Sequence, residues 1–301
     1  MTVFLNGEFI PEEKAVVSVF DRGFLYGDGL FETMRVSNGK PFRWQQHWQR
    51  LETGAHFLKI KLPFLEMRLR DFAEELISQN KLAEALLRLS VSRGVGRRGY
   101  SPQGADHPAT VMSLHPAPEV EPGNPPQWRV LTASPRLPAK ETLAQYKTCN
   151  KLAQILARSE ADAVDAHEAL LLNTDGFVVE GSSSNLFWIK GERICTPPLV
   201  SGILAGVTRA LLRELSVELG LQFQELEISP QQLGQADGVF LSLSSVGIAE
   251  VISMDGEASS ISPLVKKLSR AYWEIVRKET SNSDFAAASE KGIAQDGCSM
   301  A

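Results

Sequence analysis

Three stretches, Lys147-Thr-Cys-Asn-Lys-Leu152, Val178-Val-Glu-Gly-Ser-Ser-Ser-Asn-Leu-Phe187 and Leu204-Ala-Gly-Val-Thr-Arg209, follow one another along this chain of 301 residues. The first offers a lysine amine that can condense with an aldehyde, the second a carboxylate that can keep a proton on a ring nitrogen. The third offers a glycine-opened helix start, whose free N–H groups suit a phosphate. Together they suit a cofactor that carries all three groups.

Each residue gains its meaning from its neighbours. Lys147 stands just before a helix expected over about 150–164, whose apolar stripe would be Leu152, Ile155, Leu156 and Ala163. At an element end with its stem against a core, its pKa would fall and its amine become a usable nucleophile and base. Glu180 ends an alternating strand and precedes small residues that let another group approach. Gly206, Val207 and Thr208 open an amphipathic helix with Leu211, Leu212, Leu215 and Leu219 on its buried side, so its positive end and the Thr208 hydroxyl form an anion site. Ser244 and Ser245, after the buried strand Val239–Leu243, are further phosphate donors, and Arg50 is a candidate for the phosphate charge.

Working outward, residues 2–6 and 16–20 read as strands, and Asp21-Arg22-Gly23 and Gly27-Asp28-Gly29 as turns. Helical spacing follows over 42–58 and 64–79, then strands over 86–92 and 109–114. The run Pro116 to Pro126 removes backbone donors and breaks regular structure. The expected organisation is a small N-terminal domain over 1–117, a proline-rich linker over 118–127, a larger domain over 128–279 and a disordered tail over 280–301. In the second half, strands are expected over 128–133, 170–179 (a hairpin turned at Asp175-Gly176), 185–190 and 238–243, with helices over 208–219 and 263–278.

The net charge of −5 lacks the basic surface that nucleic acid requires. Cys149, Cys195 and Cys298 are far apart and odd in number, which points to reduced thiols in a cytoplasmic protein. Neither cysteines nor histidines have metal-ligand spacing, so no metal is expected. The start lacks a basic-then-apolar leader, and no apolar run of membrane-spanning length occurs. Gly94-Val-Gly-Arg-Arg-Gly99 fits a dinucleotide fingerprint in letters only, because Tyr100-Ser-Pro-Gln-Gly104 follows where a helix is required. Its Arg93, Arg97 and Arg98 suit capture of substrate carboxylates.

These segments resemble the fold-type IV pyridoxal 5'-phosphate enzymes, the class IV aminotransferase family, from about Phe4 to Arg277. The resemblance also rests on Asp21-Arg-Gly-Phe-Leu-Tyr-Gly-Asp-Gly-Leu-Phe-Glu-Thr33 and His47-Trp-Gln-Arg-Leu51. It implies an α+β, D-amino-acid aminotransferase-like two-domain fold, with a small N-terminal α/β domain and a larger C-terminal domain that has a β-barrel-like core. It implies that Lys147 forms the imine with the cofactor and that Glu180 pairs with the pyridine nitrogen. Arg50, Gly206, Val207, Thr208 and Ser244 or Ser245 would hold the phosphate. A homodimer, with loops of one subunit reaching the other's site, is also implied.

Within the family, Ser92-Arg-Gly-Val-Gly-Arg-Arg-Gly-Tyr-Ser101 is similar to the S-R-G-x-G-x-R-G-Y-S loop of 4-amino-4-deoxychorismate lyases. Lys147 to Leu152 is similar to their K-x-x-N-R-L. The branched-chain aminotransferases typically carry Y-x-R on the preceding strand, where Leu86-Leu87-Arg88 keeps only the arginine. The resemblance therefore favours a lyase whose small amino substrate carries carboxylate groups, anchored by Arg98 with Arg97 or Arg93, with Tyr100 beside the leaving group. An aminotransferase of branched-chain or D-amino-acid type is the alternative.

Overall fold

The computed structural model describes residues 1–281. The first half builds a six-stranded sheet. A hairpin of β1 (Thr2–Leu5) and β2 (Glu8–Pro11) leads through α1 (Arg22–Tyr26) to β3 (Gly29–Ser37) and β4 (Lys40–Pro41). Then come α2 (Trp44–Leu58), α3 (Glu66–Asn80), β5 (Ala85–Ser92) and β6 (Ala109–Pro116). Trp44, Trp48, Leu51 and Ala55 on α2, and Leu69, Phe72, Leu76 and Ile77 on α3, fall on one face of each helix and pack onto this sheet. Truncating Leu51, one of the largest fully buried side chains, to alanine would cost about 2–5 kcal/mol.

The second half begins with β7 (Gln127–Leu137), α4 (Leu152–Ala163), β8 (Glu168–Asn173), β9 (Val178–Gly181), β10 (Asn185–Lys190) and β11 (Arg193–Thr196). It continues through α5 (Val207–Glu218), β12 (Gln222–Glu225), α6 (Pro230–Leu233), β13 (Gly238–Leu243), β14 (Gly247–Met254), β15 (Glu257–Ala258) and α7 (Pro263–Thr280). The ring β10-β13-β14-β7-β8-β9 closes on itself through β9–β10 pairing, making a six-stranded barrel. Strands β8 and β9 are buried along their whole length because α4 covers one face and the barrel interior the other. That double burial is why Leu170-Leu171-Leu172 runs apolar without alternation. Helices α5 and α7 cover a second flank, around Phe187 and Phe240.

The two halves touch along β3. Phe31 N–H donates to the Lys147 carbonyl (3.0 Å), and Cys149 N–H to the Gly29 carbonyl (2.9 Å), so residues 147–149 lie along β3 like an added strand. Arg35 on β3 donates to the carbonyls of Pro118 and Ser245 (3.0 and 3.1 Å).

Two expectations need correction. Residues 16–20 form no strand: Val16, Val17, Val19 and Phe20 are exposed, and the segment pairs with no other strand among the described residues. Asp21 instead caps α1, its Oδ1 accepting from Gly23 N–H at 2.7 Å. Helix α4 forms as expected but turned about its axis. It buries Ala157 and Ala161 and leaves Leu152 69 % and Ile155 59 % exposed, with Leu156 and Ala163 also outside. Only small side chains fit between α4 and the barrel wall, so its large residues face away. The tail expected from residue 280 lies beyond the described residues apart from Thr280, which ends α7, and Ser281; Cys298 lies there too.

Candidate active site

One cavity of about 620 Å³ lies between the two halves. Lys147, Glu180, Arg50, Gly206, Val207, Thr208, Ser244 and Ser245 all line it, although they come from separate segments of the fold.

At its centre, the Lys147 Nζ sits 4.8 Å from the Phe31 ring centroid. Burial, with the like charge of Arg50 added, pulls its ammonium pKa down to about 8. Glu180 lies within β9, opposite Leu171 on one side and Asn185 on the other. Its Oε2 accepts one hydrogen bond, from Leu204 N–H at 3.0 Å. Burial raises its carboxyl pKa, and the Leu204 N–H with the charges of Lys151 and Lys147 only partly offsets that.

At the far end, Arg50 on α2 grips Glu32 with two nitrogens, Nε to Oε1 at 2.8 Å and Nη2 to Oε2 at 2.5 Å. Its Nη1 donates to the Ala205 carbonyl at 2.9 Å, just before α5. His47 Nδ1 reaches Glu32 Oε2 at 2.7 Å. Burial alone would raise the Glu32 carboxyl, but Arg50 and His47 overcome it and hold the pKa at about 2. Gly206 is the N-cap of α5 and makes no side-chain cap, and Gly206, Val207 and Thr208 all line this end of the cavity, so the first turn of the helix and its uncapped N–H groups border it. A Cβ at Gly206 would lie 1.9 Å from Asn185 Oδ1, so only glycine allows the chain to pass there.

The loop arginines are elsewhere. Arg93 is buried against Asp28, with Nε to Oδ2 at 2.8 Å and Nη2 to Oδ1 at 3.0 Å. It also donates to the carbonyls of Leu58 and Lys59, so its donors are committed to holding α2 and not to a substrate. Arg97, Arg98 and Tyr100 do not line the cavity, and Tyr100 is 87 % exposed. Arg22 holds the carbonyls of Gly99, Tyr100 and Ser101 on the outside of the molecule. No helix follows Gly99, so the dinucleotide reading is rightly set aside.

Sequence reasoning passed over several cavity groups. Arg88 on β5 stacks at 4.0 Å over Phe31, and neither its side chain nor that of Lys151 makes a hydrogen bond or ion pair among the described residues. Strand alternation, with Leu86 and Arg88 on the cavity side, could have marked Arg88. His47 and Arg50 sit three apart on one helix face, a readable pair, whereas nothing local announces that Glu32 meets them.

Among the described residues, no group of three or more His, Cys, Asp or Glu could hold a metal, and no helix is long and apolar enough to cross a membrane. The sequence pattern of amino-transferase class IV matches residues 29–254. The chain belongs to that family. It is 35% identical over 284 residues to the "Putative branched-chain-amino-acid aminotransferase" of Methanocaldococcus jannaschii, covering 92% of this chain and 97% of that protein. The crystal structure of 4-amino-4-deoxychorismate lyase from Pseudomonas aeruginosa superposes with a TM-score of 0.78 at 32% identity, over 92% of this chain and 98% of that one. The branched-chain amino acid aminotransferase of T.th., complexed with N-(5'-phosphopyridoxyl)-L-glutamate, gives a TM-score of 0.82 at 28% identity over 91% and 92%.

Class IV enzymes, aminotransferases and lyases alike, use pyridoxal 5'-phosphate, and this chain is such an enzyme. The class IV fold is the one expected above, with the closed barrel in its larger part. The residues present fit the cofactor. Ser242 Oγ, buried, lining the cavity and opposite Asn185 on the neighbouring strand, has no hydrogen-bond partner among the described residues, a hydroxyl suited to an oxyanion beside it.

Proposed function

We propose that this class IV enzyme is a lyase that converts 4-amino-4-deoxychorismate to p-aminobenzoate and pyruvate. The observation that carries the reading is the pair of uncommitted cations, Arg88 and Lys151, on the cavity wall around Lys147. They suit a substrate with two carboxylates, since each presents charged donors to the cavity that no side chain among the described residues engages. The lyase-like loop 92–101 and the 32% identity to the P. aeruginosa lyase point the same way.

When bound, pyridoxal phosphate supplies an aldehyde for the amine and a ring that withdraws electrons from the amine-bearing carbon. Arg50, the N–H groups of Val207 and Thr208, and the Ser242, Ser244 and Ser245 hydroxyls would hold its phosphate, Lys147 its aldehyde carbon and Glu180 its ring nitrogen. Lys147 Nζ, near neutral pH able to carry or release a proton, takes the proton from the substrate carbon that bears nitrogen. Glu180, with no cation hydrogen-bonded to it, keeps a proton on the ring nitrogen by lying against it as a carboxylate. The bond between the enolpyruvyl oxygen and the substrate ring then breaks. The departing enolpyruvate takes up the proton that Lys147 removed and becomes pyruvate, and the ring, having lost that proton and the ether oxygen, becomes aromatic.

We further propose two domains, 1–117 and 128–279, joined by 118–127, and a homodimer. Support for the dimer comes from the exposed apolar residues Val17, Phe20, Phe24, Leu25, Leu152 and Leu156. In it, Arg97, Arg98 and Tyr100 serve the partner's cavity. The second reading, an aminotransferase, is favoured by the 35% identity to the M. jannaschii protein. It uses the same cofactor contacts and returns the proton from Lys147 to the cofactor's aldehyde carbon.

The deciding assay supplies aminodeoxychorismate, and separately an amino acid with 2-oxoglutarate. Release of p-aminobenzoate with equimolar pyruvate is expected. Rapid glutamate formation with no p-aminobenzoate would replace the lyase by the aminotransferase.

A further inference from the structure

The turn between Glu180 and Asn185 is fastened from behind. Glu168, at the start of β8, is fully buried, and its two oxygens collect donors from the whole turn. Oε1 accepts from Ser182 N–H at 3.2 Å, from Ser182 Oγ and from Ala169 N–H at 2.9 Å. Oε2 accepts from Ser183 N–H at 3.2 Å, Ser183 Oγ at 2.8 Å and Ser184 Oγ at 3.2 Å. No lysine, arginine or histidine among the described residues hydrogen-bonds to it. Six donors converge on one carboxylate, and every member of the Ser182-Ser183-Ser184 turn is among them.

The turn leads directly to the working groups. Glu180 and Asn185 at its two ends pair with each other where β9 meets β10 and the barrel closes. Both then hold one strap: Glu180 Oε2 accepts from Leu204 N–H, and Asn185 Nδ2 donates to the Leu204 carbonyl at 2.9 Å. The strap runs into Ala205, whose carbonyl takes Arg50, and into Gly206 at the start of α5. A Cβ at Gly181 would lie 2.1 Å from Ser184 Oγ and 3.2 Å from the Glu168 carboxyl carbon, so the turn has no room to shift.

We infer that Glu168 is a positioning residue that sets Glu180 against the cofactor ring by locking the Ser182–Ser184 turn. It touches neither cofactor nor substrate. A glutamine there would point an NH2 at groups that are already donors, so the turn would loosen without loss of volume. The inference rests on the reading of Glu180 as partner of the ring nitrogen.

The test is a double-mutant cycle on the holoenzyme with Glu168→Gln, Glu180→Gln and both together. It is read by the pH at which the bound cofactor's visible absorbance changes and by the cofactor dissociation constant. Each single change is expected to displace the absorbance titration in the same direction and to weaken cofactor binding about tenfold. The double variant should be no worse than Glu180→Gln alone, because Glu168 acts through Glu180. Ser182→Ala with Ser183→Ala, which removes two hydroxyl donors and leaves the carboxylate, should reproduce the Glu168→Gln displacement in part if Glu168→Gln does not fold. An unchanged titration in Glu168→Gln and in the serine variant, with Glu180→Gln displaced, overturns the inference. Additive effects in the double variant overturn it as well. An unchanged titration in Glu180→Gln overturns the reading of Glu180 itself.

Discussion

Glu32 and Glu180 are both buried glutamates on β-strands that line or flank one cavity, yet their surroundings drive them in opposite directions. Glu32 lies under Arg50 and His47 and is held as a carboxylate down to about pH 2. Among the described residues, Glu180 accepts from one backbone N–H and no cation hydrogen-bonds to it, and burial raises its pKa. The first is a fixed charge that holds Arg50 at the end of the cavity where α5 begins. The second is a charge left incompletely matched, stabilised most when a protonated group comes to rest against it.

The largest effect should come from the unmatched glutamate. Glu180→Gln is expected to lower kcat by about 10²–10³-fold with a much smaller change in KM, because the proton on the ring nitrogen matters most as charge develops. Steady-state kinetics with saturating cofactor checks this, and a loss confined to KM would put Glu180 outside the chemistry. Lys147 tests the same end through stability. Its pKa is 10.5 when unfolded and about 8 in the folded, cofactor-free chain, so between those values the unfolded chain binds the extra proton and stability rises with pH. Below pH 8 the cost of the buried ammonium is fully present. Lys147→Met should therefore stabilise the cofactor-free protein at pH 7 by about 3 kcal/mol, a gain that disappears above about pH 10.5. Denaturant titrations across this range measure it; a gain that grows with pH would be the wrong sign.

The matched glutamate should behave differently. Glu32→Gln frees Arg50 and should weaken cofactor binding by about 10–100-fold while leaving kcat at saturating cofactor within a few-fold. Equilibrium dialysis and kinetics together separate it from Glu180→Gln. The smallest effect separates the two sets of arginines. Arg88→Ala should raise KM about tenfold with stability little changed, whereas Arg93→Ala should lower Tm, because Arg93 ties Asp28 to the end of α2.

The sequence made the cavity residues Lys147, Glu180 and Gly206 legible because each belongs to a local pattern: a lysine before a helix, a glutamate closing a strand, a glycine opening α5. Helices α2, α3, α5 and α7 followed from the spacing of their large apolar residues for the same reason. What escaped was non-local. Strand β3 mixes Glu32, Thr33 and Arg35 with apolar residues because both its faces are used, so no alternation marks it. Glu168 reads as an ordinary strand-end glutamate, and only the folded turn brings the serines to it. The face of α4 escaped because its large residues look outward, and the commitment of Arg93 because its ion pair with Asp28 forms only in the fold.

Borohydride reduction of the protein loaded with pyridoxal phosphate, followed by peptide mass mapping, probes the arrangement at its root. Lys147 should carry the phosphopyridoxyl group and Lys151, the neighbouring cavity lysine, should not. Label on Lys151, or on no lysine of the cavity, would mean that the site is built around a different amine and that the roles assigned to Glu180 and Arg50 fall with it.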